Sequence, residues 1–219
     1  MAAYRIRTYK EEDHKTVCEV LALGIREHIS PLFKYALKLP RARLFLLTVP
    51  FALFVAFESL LLSTSSVVLF LAFVWYGSSQ VLNSYLYRYL HEDISDIEHS
   101  YLQKKGACFW VAKSNGEVAG FVAADLKGEK KMELKRMYVS KKHRVQGIGK
   151  ALCQVVINFA REQGCEAVVL ETSIVQYAGQ KLYERMGFKR TYSYVSPIFF
   201  SKLLHFVMMG YTYDIPNTV

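Results

Sequence analysis

The fold is decided by the stretch Met132-Glu-Leu-Lys-Arg-Met-Tyr-Val139, followed after four residues by Arg144-Val-Gln-Gly-Ile-Gly-Lys150. The first run predicts a strand, and the second predicts a glycine loop that leads directly into a helix. Glycines let the backbone approach a ligand closely, and amides at a helix N-terminus attract negative charge. The pattern predicts a loop that binds phosphate or pyrophosphate, with a glycine turn and a solvated basic rim as the alternative. It is not the dinucleotide fingerprint, because Gly147 and Gly149 lack a third glycine at the required spacing.

The residues on both sides of this loop predict one α/β domain. Alternating apolar residues and turn signals predict strands at Tyr4–Tyr9, Ala107–Lys113, Val118–Leu126, Met132–Val139, Ala167–Thr172, Phe188–Val195 and Val207–Tyr213. Helical periodicity predicts helices at Glu11–Ile29, Ile94–Leu102, Ile148–Gln163 and Tyr177–Met186. Ser30-Pro31 is expected to end the first helix, because the residue before a proline avoids the helical conformation.

The composition excludes several classes of protein. The chain has 219 residues, of which 52% are hydrophobic and 21% charged, so it can build a full core and is not disordered. Its four cysteines are widely spaced, which predicts reduced thiols in a protein facing the cytosol and no metal site. The net charge of +9 favours an anionic partner. Nucleic acid is disfavoured, because the basic residues cluster beside the glycine loop and an apolar run, and no nucleic-acid motif is visible.

A long apolar run predicts a membrane-embedded insert. Between Leu44 and Tyr76 the only charged residue is Glu58. A single helix over this run would be roughly 50 Å long, well above the ~30 Å thickness of the hydrocarbon layer. A hairpin with arms Leu44–Leu62 and Val67–Leu82 and a polar tip at Ser63–Ser66 fits better. One tilted span and a buried core helix are the alternatives.

Charge and continuity predict the orientation of this insert. Basic residues precede the run at Lys34, Lys38, Arg41 and Arg43, which the positive-inside rule places in the cytoplasm. Residues 31–43 are expected either to lie along an anionic membrane surface or to form an amphipathic helix packed on the domain. The first strand and helix precede the insert and the other strands follow it, so both parts must lie on one side of the membrane. We therefore expect a domain made of residues 1–30 and 91–219, interrupted by an insert at 31–90 that contacts lipid.

Two motifs resemble the GNAT superfamily of N-acetyltransferases. The glycine loop resembles the superfamily's acetyl-CoA motif R/Q-x-x-G-x-G/A, and Gln176-Tyr-Ala-Gly-Gln-Lys-Leu-Tyr-Glu-Arg-Met-Gly-Phe188 resembles its N-x-x-A-x-x-L-Y-x-x-x-G-F signature. Gln176 stands where asparagine is usual. The resemblance covers residues 4–30 and 91–214, and it implies an α/β GNAT fold with a mixed central sheet flanked by helices.

The strings RMYVSKKHRVQGIGKAL and VVLETSIVQYAGQKLYERMGF are most similar to the camello-like family, which includes the cysteine S-conjugate N-acetyltransferases. This resemblance implies an enzyme of the endoplasmic reticulum membrane that acetylates a small amino-acid-like amine, and the charge and continuity argument above places its catalytic domain in the cytosol. Two alternatives stay open: a protein lysine acetyltransferase and a noncatalytic regulator that binds acyl-CoA.

The resemblance also implies roles for individual residues. Acetyl-CoA is the expected co-substrate, without a metal, and its predicted binding residues are Met137, Tyr138, Val139, Arg144, Val145, Gln146, Gly147, Ile148, Gly149 and Lys150. Tyr183 matches the tyrosine that protonates the leaving thiolate. The general base is Glu133 or Glu171, with His143 or a water chain as alternatives; Glu171 ends a strand where the sheet is expected to splay. Without these roles, both glutamates would be paired strand-end carboxylates and Tyr183 a core tyrosine.

Overall fold

A seven-stranded mixed sheet forms the centre of the computed structural model, which describes residues 4–216. Its strands are β1 (Tyr4–Thr8), β2 (Ala107–Ser114), β3 (Glu117–Lys127), β4 (Lys131–Val139), β5 (Ala167–Ser173), β6 (Lys189–Val195) and β7 (Val207–Asp214). They lie in the order β1-β2-β3-β4-β5-β7-β6, and all neighbouring pairs are antiparallel except β4 and β5. All the predicted strands are confirmed, with small shifts at their ends.

Helices cover both faces of the sheet. They are α1 (His14–Arg26), α2 (Ile29–Leu37), α3 (Pro40–Phe57), α4 (Leu60–His91), α5 (Ile148–Glu162), α6 (Tyr177–Arg185) and α7 (Phe199–Leu203). Residues of α1, α2 and α4 share one apolar core with the sheet, and residues of α5 and α6 share another. Because side chains alternate along a strand, Val111 enters the first core and its neighbour Ala112 enters the second.

The parallel strands β4 and β5 separate halfway along their length. Their pairing runs from Lys131↔Ala167 to Leu134↔Leu170 and then stops. Beyond that point β4 continues against β3, and β5 continues against β7, where Glu171 faces Gly210. A cleft therefore opens in the middle of the sheet, at the position where the sequence predicts the splay.

The helices α3 and α4 form the inserted hairpin, and both are long and apolar enough to span a membrane. They pack side by side, with the ring of Phe45 stacked on that of Phe70 at 4.3 Å between centroids. The chain reverses at Glu58, which has the left-handed φ of 47° common at helix ends. Ser59 then caps α4 by accepting a hydrogen bond from the amide of Leu62.

The predicted hairpin tip at Ser63–Ser66 is therefore wrong, because these residues lie inside α4. The hydroxyls of Ser63, Thr64 and Ser66 donate to backbone carbonyls instead of breaking the helix. Ser63 donates to Pro50 of α3 at 2.9 Å, and Thr64 donates to Leu60 at 2.8 Å. A polar hydroxyl that bonds back to the backbone is compatible with an apolar helix, so a run of serines does not by itself mark a turn.

Two further boundaries also differ from the prediction. The first helix ends at Arg26, and Ser30-Pro31 lies in the first turn of α2, where the missing proline N–H is not needed. α2 buries Leu32 against the domain, which fits the packed-helix alternative for this segment. Only Glu98–Leu102 of the predicted helix at 94–102 is helical, as a single π-type turn.

Candidate active site

The cleft between β4 and β5 widens into a cavity of about 350 Å³. Glu133, Glu171 and Tyr183 all line it, so the structure brings the three predicted catalytic residues together. Met137 and Tyr138 of the predicted acetyl-CoA site line the same cavity. The C-terminal part of α4 supplies another wall, with Leu82, Tyr85, Arg88 and Tyr89.

Tyr183 reaches the cavity from α6 and is 6% exposed. Its ring packs against Phe188, at 5.8 Å between centroids, and against Tyr211. Burial raises the pKa of its phenol well above the usual range, so the hydroxyl keeps its proton at neutral pH. Among residues 4–216 the Tyr183 hydroxyl has no hydrogen-bond partner, in contrast to Tyr211, which donates to Glu184. The proton of Tyr183 is therefore free to be given to a bound molecule.

Glu171 is held by two tyrosines of the edge strand β6. Tyr192 donates its hydroxyl to Oε1 at 2.7 Å, and Tyr194 donates to Oε2 at 3.0 Å. Burial and the neighbouring carboxylate raise the pKa of Tyr192 to about 12, so Tyr192 stays a donor. Both oxygens of Glu171 are thus held in place by hydroxyl donors.

Gly210 makes this arrangement possible. In the sheet it lies directly between Glu171 on β5 and Tyr192 on β6. A Cβ at this position would lie 2.2 Å from the Tyr192 ring, so the ring rests directly on the backbone of Gly210. Tyr192 can reach Glu171 across β7 only because this residue has no side chain.

Glu133 lies on β4, at the other side of the cavity. Its side chain is half-buried and pairs with Lys127 Nζ at 3.2 Å. This ion pair agrees with the alternative interpretation, in which Glu133 is only a strand-end carboxylate paired with a lysine. Glu133 nevertheless lines the cavity, so it remains a candidate base.

The end of β4 is irregular where it borders the cleft. Its pairing with β3 shifts between Phe121 and Ala123, and Arg136 opposite has a φ of 54°, which is rare for residues other than glycine. Tyr138 is wedged against α1, since a Cβ on Gly24 would lie 2.3 Å from the Tyr138 ring. Backbone strain of this kind concentrates at functional sites. Met137, Tyr138 and Val139, three of the predicted acetyl-CoA-binding residues, belong to this segment.

The glycine loop lies at the N-terminus of α5. Gly147 caps the helix with a φ of 81°, and Val145 before it has a φ of 64° and a fully exposed side chain. The first hydrogen bond of the helix runs from the Ala151 amide to the Gly147 carbonyl. The amides of residues 148–150 therefore have no acceptor within the helix and remain available to an anion.

The other predicted residues of the loop fall into two groups. Gln146 and Lys150 are exposed, whereas Ile148 is buried and fixes the helix to the sheet. Arg144 donates to the Val139 carbonyl at 3.1 Å and forms an ion pair with Glu27, the residue that follows α1, so it joins the loop to β4 and to the end of α1. A Cβ on Gly149 would lie 3.1 Å from Leu182, so this glycine also allows α5 to pack on α6.

The loop and the cleft fit acetyl-CoA. A loop with free helix N-terminal amides and an exposed basic rim suits a pyrophosphate. Residues 144–150 do not line the cavity, but Met137 and Tyr138, which precede the loop at the end of β4, line it together with Tyr183. Within residues 4–216 no cluster of histidine, cysteine or acidic residues is arranged to hold a metal ion. His143 does not line the cavity; its Nε2 lies 3.8 Å from the Glu117 carboxylate instead. This position disfavours His143 as the general base.

Several cavity residues could not be predicted from the sequence. Tyr194 comes from an edge strand, and Tyr85 and Arg88 come from the end of a helix that reads as a membrane segment. Gln176, the departure from the family signature, accepts hydrogen bonds from the Ser173 amide and the Thr172 hydroxyl. It thereby stabilises the end of β5 beside the cavity.

Comparisons with known proteins agree with this architecture. The model of the acetyltransferase (GNAT) family matches residues 75–188. N-acetyltransferase 8 of Mus musculus is 42% identical over 196 residues, which cover 87% of this chain and 86% of the relative. N-acetyltransferase family 8 member 3 of the same species is 40% identical over 205 residues, 90% of this chain and 91% of the relative.

Solved structures show the same fold. A GNAT-family acetyltransferase of Staphylococcus aureus superposes with a TM-score of 0.58 at 18% identity, over 98% of this chain and all of its own. A Bacillus anthracis protein solved with acetyl coenzyme A has a TM-score of 0.50 at 22% identity, over 57% of this chain and 70% of its own. The chain therefore belongs to the acetyltransferase (GNAT) family, among the N-acetyltransferase family 8 proteins, and is an acetyl-CoA-dependent N-acetyltransferase.

Proposed function

We propose that this enzyme is anchored in the endoplasmic reticulum membrane and transfers acetyl from acetyl-CoA to the amine of a small amino-acid-like acceptor such as a cysteine S-conjugate. The observation that carries the proposal is the single cavity shared by Tyr183, Glu133 and Glu171. A volume of about 350 Å³ is at the small end of the range for ligand pockets, which favours a small acceptor over a folded protein surface.

The proposed chemistry needs a proton acceptor and a proton donor. An acceptor amine reacts only when it is neutral, so one carboxylate of the cavity, directly or through water, takes a proton from the ammonium group. The amine nitrogen then bonds to the acetyl carbon, while the bond from that carbon to sulfur breaks. Tyr183 gives its proton to the departing sulfur and regains one as the new amide nitrogen loses its second proton, and amides of residues 137–139 stabilise the negative charge that develops on the carbonyl oxygen.

The two carboxylates are suited to different parts of this task. Glu171 has two fixed hydrogen bonds, so it is well placed to attract and orient the ammonium group. Among residues 4–216, Glu133 forms one ion pair, through Oε1, and its other oxygen has no partner, which leaves that oxygen available to act as the base. Replacing each by glutamine separates the roles: loss of the base lowers kcat and changes its pH profile, whereas loss of the anchor mainly raises KM.

The exposed face of the hairpin supports the membrane anchor. Leu47, Phe51 and Leu61 are 73%, 69% and 74% exposed, and they belong to a continuous surface of large apolar side chains. Such a surface is unfavourable in water and marks a contact with lipid or protein. The exposed part of the hairpin thus requires cover, and a bilayer provides it along α3 and the first part of α4.

The sheet supports a cytosolic orientation. β1 precedes the hairpin and pairs with β2, which follows it, through five residue pairs from Tyr4↔Ser114 to Thr8↔Trp110. Both parts must therefore lie on the same side of the membrane, which requires a hairpin that crosses twice or dips and returns. The basic residues before α3 and the four free cysteines favour the cytosol. In this arrangement residues 31–90 are an insert into a domain made of the rest.

An acceptor panel tests the chemical proposal. Purified enzyme is mixed with acetyl-CoA and S-benzylcysteine, free lysine or a lysine-containing peptide, and released thiol is measured. Thiol release with S-benzylcysteine supports the proposal, whereas acetylation of the peptide alone would indicate a protein lysine acetyltransferase. Binding of acetyl-CoA without turnover on any amine would contradict the catalytic assignment.

Protease treatment of sealed microsomes tests the topology. We expect added protease to digest the catalytic domain and to leave a protected fragment that contains α3 and the first part of α4. A domain that is digested only after detergent is added would be lumenal, and the proposed orientation would be wrong.

A further inference from the structure

We propose that Arg88 binds the carboxylate of the acceptor and so makes the enzyme selective for amines that carry an adjacent carboxyl group. This inference rests on the proposed function and specifies the chemical class of its acceptor. Arg88 is on the last turns of α4, its side chain is half exposed, and it lines the same cavity as Glu171 and Tyr183.

The cations that line the cavity differ in whether their charge is already used. Arg136 is 10% exposed, forms a two-pronged contact with Asp93 at 2.8 to 3.0 Å, and lies 3.6 Å from the Tyr89 ring centroid. Lys135 pairs with Asp93 and with Asp125. Both residues are therefore committed to the protein's own carboxylates.

Arg88 has no such commitment. Among residues 4–216 its guanidinium donates no hydrogen bond, and its ion pair there is a long contact with Glu92 Oε1 at 3.9 Å. Exposed pairs of this kind contribute little to stability and are easily exchanged. The planar fork of an arginine matches a carboxylate with two parallel hydrogen bonds, so Arg88 has both the free donors and the geometry for one.

Arg88 is also held in place without using its donors. Its guanidinium carbon lies 4.9 Å from the Tyr85 ring centroid, within the range of a cation–π contact. Tyr85 is itself fixed, because it is buried and its hydroxyl donates to Ser196 at 2.8 Å. A stacked arginine on a fixed ring is partly preorganised, which lowers the entropy lost when a ligand binds.

The charge pattern of the cavity explains why the acceptor would need Arg88. Glu92, Glu133 and Glu171 all line it and favour an ammonium group, but they repel a carboxylate. A free α-amino acid carries an ammonium group and a carboxylate group on the same carbon atom. Glu171 at one wall and Arg88 at another supply the two complementary charges, and Leu82, Phe206 and Met208 supply an apolar surface for a side chain.

A comparison of two acceptors tests the inference. S-benzylcysteine and S-benzylcysteamine share the amine and the apolar group, and only the first carries the carboxylate. In Arg88→Gln we expect kcat/KM for S-benzylcysteine to fall by about 10- to 100-fold, the range for a lost charged hydrogen bond, chiefly through KM. For S-benzylcysteamine we expect a change within about twofold, because the lost interaction is not made.

Two further variants control the experiment. Arg88→Lys keeps the charge without the fork, so it should fall between wild type and Arg88→Gln. Arg161→Gln removes a positive charge from the exposed surface of α5 and should leave the preference between the two acceptors unchanged. Thermal melting of each variant checks that the fold is retained.

The possible outcomes are distinct. An equal loss for both acceptors would show that Arg88 supports the structure of the cavity, and no loss for either would show that it is a bystander; both would overturn the inference while leaving the acetyltransferase proposal intact. Wild-type enzyme that acetylates neither acceptor would instead refute the proposed acceptor class and, with it, the role of Arg88.

Discussion

Replacing Tyr183 by phenylalanine tests the chemistry with little disturbance of the fold. The ring would keep its contacts with Phe188 and Tyr211, and the lost hydroxyl has no hydrogen-bond partner among residues 4–216. We therefore expect the free energy of unfolding to change by about 0.5 kcal/mol or less, as for substitutions that remove no packing and no bond. If the hydroxyl protonates the leaving sulfur, kcat should fall by about 10²-fold, which corresponds to about 2.7 kcal/mol of transition-state stabilisation.

The assay measures thiol release at saturating acceptor and varied acetyl-CoA, together with thermal melting in the same detergent. Tyr211→Phe is the matched control, because Tyr211 is also buried and lies beside Tyr183, but its hydroxyl donates to Glu184 instead of facing the cavity. The control should keep its kcat and lose some stability. A Tyr183→Phe enzyme with kcat within about twofold of wild type would refute the acid role and leave Tyr183 as a core residue.

Three other substitutions test separate parts of the structure. Gly147→Glu should raise the KM for acetyl-CoA steeply, because it places a negative charge at the N-terminus of α5. Gly164→Glu is the control, since Gly164 has a similar φ of 71° at the far end of α5, and it should leave this KM unchanged. Equal effects of the two substitutions would show that the glycine loop does not bind acetyl-CoA. Gly210→Ala should push away the Tyr192 ring, weaken its hydrogen bond to Glu171 and lower kcat/KM by about tenfold or more. An unchanged kcat/KM would show that this hydrogen bond is not needed for activity. Burial opposes ionisation of Asp13, but hydrogen bonds from the Arg7 side chain and the Lys10 amide outweigh it and lower the pKa of the Asp13 carboxyl group. The ionised carboxylate therefore stabilises the fold fully above the unfolded pKa of about 3.9, and this stabilisation is lost as the pH falls further. Melting temperatures should fall at acid pH in wild type and change less with pH in Asp13→Asn.

The sequence predicts the sheet and the glycine loop well because local signals determine both. Period-two alternation and the Asn115-Gly116 turn locate β2 and β3, and the positive φ of both turn residues confirms the hairpin turn. The reversal between α3 and α4 is different, because Glu58 and Ser59 carry no strong turn signal while the serines inside α4 do. Inside α4 the serine and threonine hydroxyls donate to backbone carbonyls, so these residues continue the helix instead of ending it. These hydrogen bonds depend on the surrounding helix and are not visible in the local sequence.

The candidate site is only partly predictable for a similar reason. Glu133, Glu171 and Tyr183 belong to motifs, and the parallel pairing of β4 and β5 brings them together. The clamp of Tyr192 on Glu171 depends on the register of three strands and on the missing side chain of Gly210. No local pattern contains that information, since the three residues are far apart in the chain.

In the proposed membrane arrangement, the continuous helix α4 connects the bilayer mechanically to the catalytic cavity. This helix of 32 residues carries exposed Leu61 near its start and Arg88 near its end, without a proline between them. A rod pivoting at Val74 would move Arg88, ~21 Å away, by nearly 2 Å for a tilt of ~5°. Misplacements of about 1 Å are enough to slow an enzyme markedly, and helices tilt to match the thickness of a bilayer. The turnover rate would then depend on the thickness of the surrounding bilayer or detergent layer, and so on the organelle in which the enzyme resides.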